Sequence, residues 1–268
     1  MSQNISLEEA QRAKCRHIMN KLCLQPGQRV LDIGCGWGGL AFYLAEHADV
    51  KVTGLTLSRE QLRVAESRAR ERGLEGRVDF RLQDYREHHG SYDRIVSVGM
   101  FEHVGVRHYR DYFDQVRRLL VHDGIALLHT IGRHGAPGTT NPWIEKYIFP
   151  GGYNPALSEV TRAIERSGLV SCDIEILRQH YAKTLVLWHQ RFHAHRAEIA
   201  QRMGERFCRM WEFYLATCEA AFRWRDLVVF QIQLTHRMGA VPITRDYLYR
   251  EGDNAGVHPP VAKRIIAP

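Results

Sequence analysis

The sequence lacks the features that mark membrane-spanning, secreted and disulfide-stabilised proteins. Its 268 residues contain no run of about 18 apolar residues, the length needed to cross a bilayer. The N-terminus does not have the charged and then apolar build of a signal peptide. The six cysteines include no C-x-x-C pair, which favours free thiols in a reducing compartment. We therefore expect a cytoplasmic protein without a transmembrane segment.

The composition is that of an ordinary globular protein with an excess of positive charge. Hydrophobic residues make up 44% of the chain, charged residues 25%, and the formal net charge is +7. A basic protein often binds nucleic acid or an anionic membrane surface, and composition does not distinguish between them. No nucleic-acid recognition module is apparent. The histidine pairs at 88–89 and at 193 and 195 lack a third ligand at a suitable spacing, so we expect no metal site.

Strand-like and helix-like segments alternate along most of the chain. Apolar strand patterns occupy 30–33, 51–56, 77–82, 93–98, 124–130 and 170–177, and helical patterns occupy 7–24, 59–72, 109–120 and 155–167. This alternation predicts an α/β fold with a doubly wound parallel sheet. A final strand at 226–234, expected to run antiparallel, completes a seven-stranded, Rossmann-like sheet. Between 181 and 224 we expect two long helices, inserted before that strand, and at 141–150 a turn-like segment.

The whole chain is expected to form one domain, residues 1–268. Its core spans about 25–135 and 168–236, and the inserted helices at about 181–224 form a lid over the ligand edge. Doubly wound sheets bind ligands beyond the carboxyl ends of their strands. The residues that follow each strand are therefore the candidates for function.

The run VLDIGCGWGG at 30–39 predicts a buried strand, a glycine-rich turn and the start of a helix. Glycine is suited to this turn because a Cβ would block the close approach of a ligand to the backbone. The glycine spacing also fits a dinucleotide fingerprint, which alone is a weak signal. Asp32 lies two residues before the first glycine, where its carboxylate suits an ammonium group and would repel a pyrophosphate. This favours S-adenosylmethionine over NAD, and a tight turn without a ligand is the remaining alternative.

The next two strand ends supply further cofactor contacts. The segment 54–58 has no carboxylate, so the hydroxyls of Thr56 and Ser58 and the amide of Gln61 are expected at the ribose, although Ser58 also suits a helix cap. After the third strand, Asp84 can accept from the adenine amino group and Tyr85 can stack on the ring, although both also suit a surface turn. The expected cofactor-binding residues are Asp32, Gly34, Gly36, Gly38, Thr56, Leu57, Ser58, Gln61, Asp84 and Tyr85.

Two polar side chains follow the fourth and fifth strands. Glu102 is flanked by apolar residues, and a buried carboxylate needs a partner, so a structural ion pair is one interpretation. His129 ends the fifth strand, where a lone histidine is more often a hydrogen-bonded core residue. Because the two side chains converge from neighbouring strands, we expect them to form a catalytic site instead.

These residues, together with motifs outside the cofactor turn, resemble the cyclopropane-fatty-acyl-phospholipid synthases. The matching runs are 30–39, 83–85, 93–105, 127–132, 142–150, 205–210 and 221–226, and the resemblance covers about 7–233. It implies transfer of a methylene group from S-adenosylmethionine to the cis double bond of an unsaturated phospholipid acyl chain. It also implies peripheral association with the membrane, with arginines of the inserted helices facing anionic headgroups. The alternatives are a methyltransferase of the same family acting on a small amine or another lipid, and an inactive relative that binds the cofactor.

The resemblance also implies how the ring closes. The alkene attacks the sulfonium methyl group, and the resulting carbocation must lose a proton. Family members hold a bicarbonate ion as the base, and matching positions assign its binding to Glu102, His129, the Ile131 backbone and Tyr181.

The family also carries a Tyr-Ser-Cys-x-Tyr-Trp-like segment upstream of the first helix, and this chain starts about where that segment would end. Cys15 and Cys23 lie on the wrong side of it to replace its cysteine. Weak activity, another acceptor or none is therefore a further expectation, and the oligomeric state stays open between monomer and homodimer.

Overall fold

A computed structural model describes residues 5–249, in which seven strands form a single mixed sheet. The strands are β1 (Arg29–Ile33), β2 (Lys51–Thr56), β3 (Val78–Leu82), β4 (Tyr92–Val98), β5 (Leu120–Arg133), β6 (Val170–Leu177) and β7 (Leu227–Thr235). The helices are α1 (Leu7–Leu22), α2 (Gly39–His47), α3 (Arg59–Glu71), α4 (Tyr109–Leu119), α5 (Pro142–Tyr147), α6 (Leu157–Ser167), α7 (His180–Ala194), α8 (Arg196–Met203) and α9 (Glu205–Trp224).

The order of the strands in the sheet is β3-β2-β1-β4-β5-β7-β6. The pairs among β1 to β5 are parallel, and β7 runs antiparallel to both β5 and β6. This confirms the predicted α/β fold with a doubly wound, seven-stranded sheet and an antiparallel last strand. Residues 1–4 and 250–268 of the expected domain lie outside the described residues, and the division into core and lid stays a prediction.

Local signals in the sequence determine where the helices begin. Ser6 and Glu9 form a capping box at α1: Glu9 N donates to Ser6 Oγ at 3.2 Å, and Ser6 N donates to Glu9 Oε2 at 2.8 Å. Ser58 caps α3 by accepting from Gln61 N at 3.3 Å. These caps satisfy amide groups that have no partner inside the helix.

Helices cover both faces of the sheet, and alternate residues of the central strands are buried on opposite faces. On one face, Leu31 and Ile33 pack with α4 and α6, and on the other Val30 packs with α1, α2 and α3. Successive strand residues point to opposite faces, so a strand covered by helices on both sides is apolar throughout. The polar groups at the carboxyl ends of the strands are therefore held on a rigid layer.

Two expectations about the helices were wrong. The segment at 141–150 is not only a turn, because Asn141 accepts from Trp143 N and Ile144 N and Pro142 occupies the first helical position of α5. Both features favour a helix start. Between β6 and β7 there are three helices instead of two, because the helical conformation breaks at His195 and again at Gly204, which has φ +82°.

The inserted helices pack over the carboxyl edge of the sheet. Leu185 of α7 and Leu215 of α9 share one apolar cluster with Ile131, Leu177 and Val229 at the strand ends. Across residues 5–249, none of the helices is both long and apolar enough to span a membrane. The apolar side of the insertion therefore packs on residues at the ends of β5, β6 and β7.

Candidate active site

The glycine-rich turn after β1 forms an open cradle. The backbone N–H groups of Gly34 and Cys35 both donate to Leu55 O, at 3.0 and 2.9 Å, which holds the turn against β2. Gly36 has φ +57°, and a Cβ added there would meet no atom within 4 Å. Gly34 has φ +81°, and its added Cβ would lie 2.7 Å from Met100 Cβ. Gly34 is therefore needed for packing, whereas Gly36 leaves space beside the backbone for a ligand.

Asp32 lies beneath this cradle at the end of β1. It is only 2% exposed, and burial raises the pKa of its carboxyl group to about 7. Desolvation disfavours the charged form, and a cation bound beside the carboxylate would restore it. The buried carboxyl group and the open turn therefore fit the amino-acid moiety of S-adenosylmethionine. The contact itself stays a prediction.

The expected ribose contacts lie together in one hydrogen-bonded turn after β2. Thr56 Oγ1 donates to Gln61 Oε1 at 2.7 Å and accepts from Ser58 N at 3.1 Å. Leu57, between them, is 73% exposed. The structure brings Thr56, Ser58 and Gln61 together, and their role at the ribose stays a prediction.

The expected adenine contacts lie after β3, and one of them already has a partner. Both carboxylate oxygens of Asp84 accept from the Arg86 guanidinium, with distances from 2.6 to 3.1 Å. These hydrogen bonds lower the pKa of Asp84. The Tyr85 ring packs edge-on against Tyr112, with 5.5 Å between the centroids. An adenine amino group would therefore share Asp84 with Arg86 or displace it.

Glu102 follows β4 in a short helical turn and is buried. Its Oε1 accepts from Ile131 N at 2.7 Å, while its Oε2 has no hydrogen-bond partner within residues 5–249. Burial raises the pKa of Glu102, against the opposing effects of the backbone hydrogen bonds, that from Ile131 being the largest, and of the nearby Thr130 hydroxyl. The Ile131 N–H, expected to bind an anion, thus donates to Glu102 in this structure.

His129 lies on β5, opposite Val98 at the end of β4, the strand that leads to Glu102. Its backbone O accepts from Gly99 N at 2.9 Å, at the start of the loop that carries Glu102. Burial lowers the pKa of His129 to about 3, so the imidazole is neutral at physiological pH. Its Nδ1 lies 3.0 Å from Nε2 of Gln231 on β7.

Gln231 was missed in the sequence. The available signal was the presence of two glutamines, 231 and 233, in an otherwise apolar strand, since a buried amide requires a partner. Only the antiparallel register of β5 and β7, which pairs His129 with Gln231, identifies that partner.

Tyr181 enters the site from the beginning of α7. Its ring stacks on Phe222 with 4.9 Å between centroids and meets Trp188 edge-on at 6.0 Å. Burial raises the pKa of Tyr181 to about 12, and the charges of Glu102 and Cys218 add to the effect. Tyr181 therefore lies near Glu102 as a neutral phenol, among aromatic rings.

The side chains of this site fit a small oxyanion that carries one proton. The unpartnered Oε2 of Glu102 is an acceptor that requires a donor, such as the O–H of bicarbonate. The neutral imidazole of His129 and the phenol of Tyr181 can donate to the other oxygens of the anion. These are the donor and acceptor types that a bicarbonate ion would need, and its binding here stays a prediction.

The strand order, the antiparallel β7 and the glycine cradle after β1 define a Rossmann-like methyltransferase fold. Residues 1–232 match the family described as mycolic acid cyclopropane synthetase. The chain belongs to this family.

Relatives and solved structures agree with this assignment. The chain is 48% identical over 227 residues to the cyclopropane-fatty-acyl-phospholipid synthase of Escherichia coli (strain K12). The aligned region covers 85% of this chain and 58% of that protein. The chain therefore spans somewhat more than half the length of this curated relative. The structure of the cyclopropane synthase MmaA2 from Mycobacterium tuberculosis is similar, with a TM-score of 0.82 and 34% identity, covering 87% of this chain and 86% of that one. The mycolic acid cyclopropane synthase CmaA1, complexed with SAH and CTAB, superposes with a TM-score of 0.80 and 33% identity, covering 86% and 85% of the two chains.

Proposed function

We propose that this protein transfers a methylene group from S-adenosylmethionine to the cis double bond of an unsaturated phospholipid acyl chain, forming a cyclopropane ring. The observation that carries the proposal is the buried Glu102, whose Oε2 is unpartnered and whose charge acts on Tyr181, after β4 at the carboxyl edge of the sheet. The neutral His129 follows on the neighbouring strand β5. The 48% identity with the E. coli synthase supports the same reaction.

The cofactor would be held along the carboxyl edge of β1 to β3. Asp32 would pair with its ammonium group, Gly34, Gly36 and Gly38 would form the cradle, and the Thr56–Ser58–Gln61 turn, with Leu57 at its rim, would bind the ribose. Asp84 and Tyr85 would contact the adenine. Bound S-adenosylmethionine supplies an electrophilic methyl group that the alkene attacks.

Ring closure requires that a proton leave the carbocation formed on the lipid. Glu102, His129 and Tyr181 would hold a bicarbonate ion, which supplies the base. A Glu102 carboxylate would accept the O–H of the ion and keep its remaining oxygens directed toward the reacting carbon. The Tyr181 ring, stacked on Phe222, would stabilise the positive charge through its π face and exclude water from it.

The acyl chain would approach from the surface of the inserted helices. A surface cavity of about 820 Å³ lies between α5 and α9, lined by Trp143, Ile144, Phe207 and Phe213 and bordered by arginines 206 and 209. Apolar walls suit an acyl chain, and the arginines suit a phosphate headgroup. We therefore propose peripheral membrane association through this face.

Mass spectrometry of lipids tests the proposal. The purified chain is incubated with S-adenosylmethionine, sodium bicarbonate and vesicles that contain either monounsaturated or fully saturated phospholipid. By mass spectrometry we expect a gain of one CH₂, on the monounsaturated chains only. Proton NMR of the same lipids should show that the olefinic resonances are lost, which distinguishes a cyclopropane ring from a methyl group added with the double bond retained. Cofactor binding without any lipid product would contradict the proposal, and methylation of a small amine instead would assign the chain to another activity of the family.

A further inference from the structure

The pairing of His129 with Gln231 is the contact of the site that the reaction above leaves without a role. The two residues are cross-strand neighbours in the β5–β7 register. Gln231 is 1% exposed, and its Nε2 lies 3.0 Å from Nδ1 of the imidazole. A buried amide in a strand of apolar residues costs free energy unless it is hydrogen-bonded.

We propose that Gln231 is a positioning residue that donates to His129 Nδ1 and thereby holds the imidazole as the Nε2–H tautomer, the form that the proposed anion site requires. The proposal rests on the proposed function for its catalytic consequence, but the tautomer itself can be measured without any turnover.

The direction of this hydrogen bond follows from the other end of the amide. Gln231 Oε1 is buried and has no hydrogen-bond partner in the part of the chain that the structure describes. If the amide were reversed, its NH₂ group would occupy that position with two donors and no acceptor. An unpartnered carbonyl oxygen occurs in proteins more often than an unpartnered N–H group. The observed orientation, with the NH₂ group on His129, is therefore the favourable one.

The tautomer matters because His129 carries no charge. Burial lowers its pKa to about 3, so its only way to bind an anion is through a neutral N–H. A neutral imidazole has one donor nitrogen and one acceptor nitrogen. With Nδ1 accepting from Gln231, the proton is on Nε2. With the reverse tautomer, a lone pair at Nε2 would face the anion and repel it. The partner of one ring nitrogen commonly selects the role of the other in this way.

The first test is a spectroscopic measurement on the wild-type chain. With ¹⁵N-labelled histidine, the two ring nitrogens of His129 are assigned by comparison with His129→Gln, at pH 7 and without lipid or cofactor. We expect the proton on Nε2 and an unprotonated Nδ1. A proton on Nδ1 would overturn the proposal, whatever reaction the protein catalyses.

Two variants of Gln231 change the hydrogen bond in different ways. Gln231→Glu offers only acceptors to Nδ1 when it is ionised, so at a pH where the carboxylate forms we expect the ring proton on Nδ1. Gln231→Met keeps the approximate volume and removes the donor, so we expect a mixture of tautomers. Both should lose about 10- to 100-fold in turnover, the range found when the outer partner of a ligating histidine is removed. Both should also need more bicarbonate for half-maximal rate, with cofactor affinity unchanged.

Gln233 provides a matched control two residues along the same strand. It is fully buried, its Nε2 donates to Lys21 O at 2.6 Å, and its Oε1 accepts from Tyr247 at 2.8 Å. Gln233→Met removes a comparable buried amide without contacting His129, so it should lower stability yet leave the tautomer and the bicarbonate dependence unchanged. If Gln233→Met changed the tautomer and the bicarbonate dependence as much as Gln231→Met does, the role of Gln231 would be merely structural. A wild type with the expected tautomer and no lipid product would instead refute the proposed function alone.

Discussion

Lys21 and Glu175 form an ion pair in the interior, joining α1 to β6. Lys21 Nζ lies 2.6 Å from Glu175 Oε2, and the lysine side chain has no exposed surface. Asp173 lies 3.8 Å from the same ammonium group and pairs on its other side with Arg245 at 2.5 Å. The first helix, the edge strand β6 and the segment after β7 are thus joined by a network of ion pairs around the buried Lys21 and Asp173.

Replacing Lys21 with Met should destabilise the protein by about 3 kcal/mol, since it removes the buried cation and leaves Glu175 only the His17 imidazole as a partner. Urea denaturation at pH 7 measures the change. Arg63→Met is the control, because the Arg63–Glu60 pair is about 70% exposed on both sides and such pairs contribute at most about 1 kcal/mol. Equal effects of the two substitutions would contradict the importance of the buried pair.

The contribution of Glu175 should depend on pH. Burial alone would raise the pKa of Glu175, but hydrogen bonds from His17 and Lys21 and the charge of Lys21 outweigh it and lower the pKa to about 2, from an ordinary value of 4.5. A depressed carboxyl pKa stabilises the folded state above the unfolded-state pKa, and the stabilisation is lost as pH falls toward the folded one. Glu175→Gln should therefore cost more stability at pH 7 than at pH 3.5, as measured by urea denaturation. A difference independent of pH would argue against this ionisation.

Cofactor affinity should rise as pH increases through about 7. Burial raises the pKa of Asp32 to about 7, so the free protein is partly protonated there, while an ammonium group binds the carboxylate form. Titration calorimetry in buffers of different ionisation enthalpy should detect proton release on binding of S-adenosylmethionine near pH 7.

Asp32→Asn should weaken binding and abolish that proton release. Asp79→Asn provides the control, because Asp79 lies on β3 and its side chain is 56% exposed beside Arg81. Proton release that persists in the Asp32 variant would assign the effect to another group.

Gly36→Ala should weaken cofactor binding more than it destabilises the fold. An L-residue at φ +57° costs about 1–2 kcal/mol, but the added Cβ meets no protein atom. Gly27→Ala is the matched control, since Gly27 has φ +79° and equally open surroundings at the other end of β1. Thermal unfolding should show similar losses for both variants, and only the Gly36 variant should lose affinity for S-adenosylmethionine. A normal affinity would mean that the turn is not the cradle.

Glu102→Gln should lower turnover by at least about 100-fold, the scale of a lost acid–base or charge-stabilising group, with cofactor affinity retained. The amide can still accept from Ile131 N, which preserves the local fold. His103→Gln changes the exposed neighbour and should leave turnover unchanged. Lipid mass spectrometry and calorimetry together separate the two effects. Full activity of the Glu102 variant would exclude the carboxylate from the reaction.

Much of the fold could be predicted because its signals are local. Each of these signals depends on residues within a few positions of one another. Examples are the capping box at Ser6, the apolar residue patterns of β1 to β4 and the glycine-rich turn after β1. The helix at 142–147 was missed because it is six residues long and its cap at Asn141 resembles a turn. The interruptions at His195 and Gly204 were missed because helical patterns continue on both sides of them.

The sequence by itself determined the layered sheet, the carboxyl edge where ligands bind and the candidates Asp32, Glu102 and His129, since strand periodicity and topology place these residues. Only the tertiary structure decided their partners. It placed the Ile131 N–H against Glu102 and the Gln231 amide against His129. These contacts join residues that are distant in the chain, and a shift of one residue in the β5–β7 register would remove the last of them. Protonation states depend on such contacts and on burial, so the chemistry of the site is a property of the packed sheet.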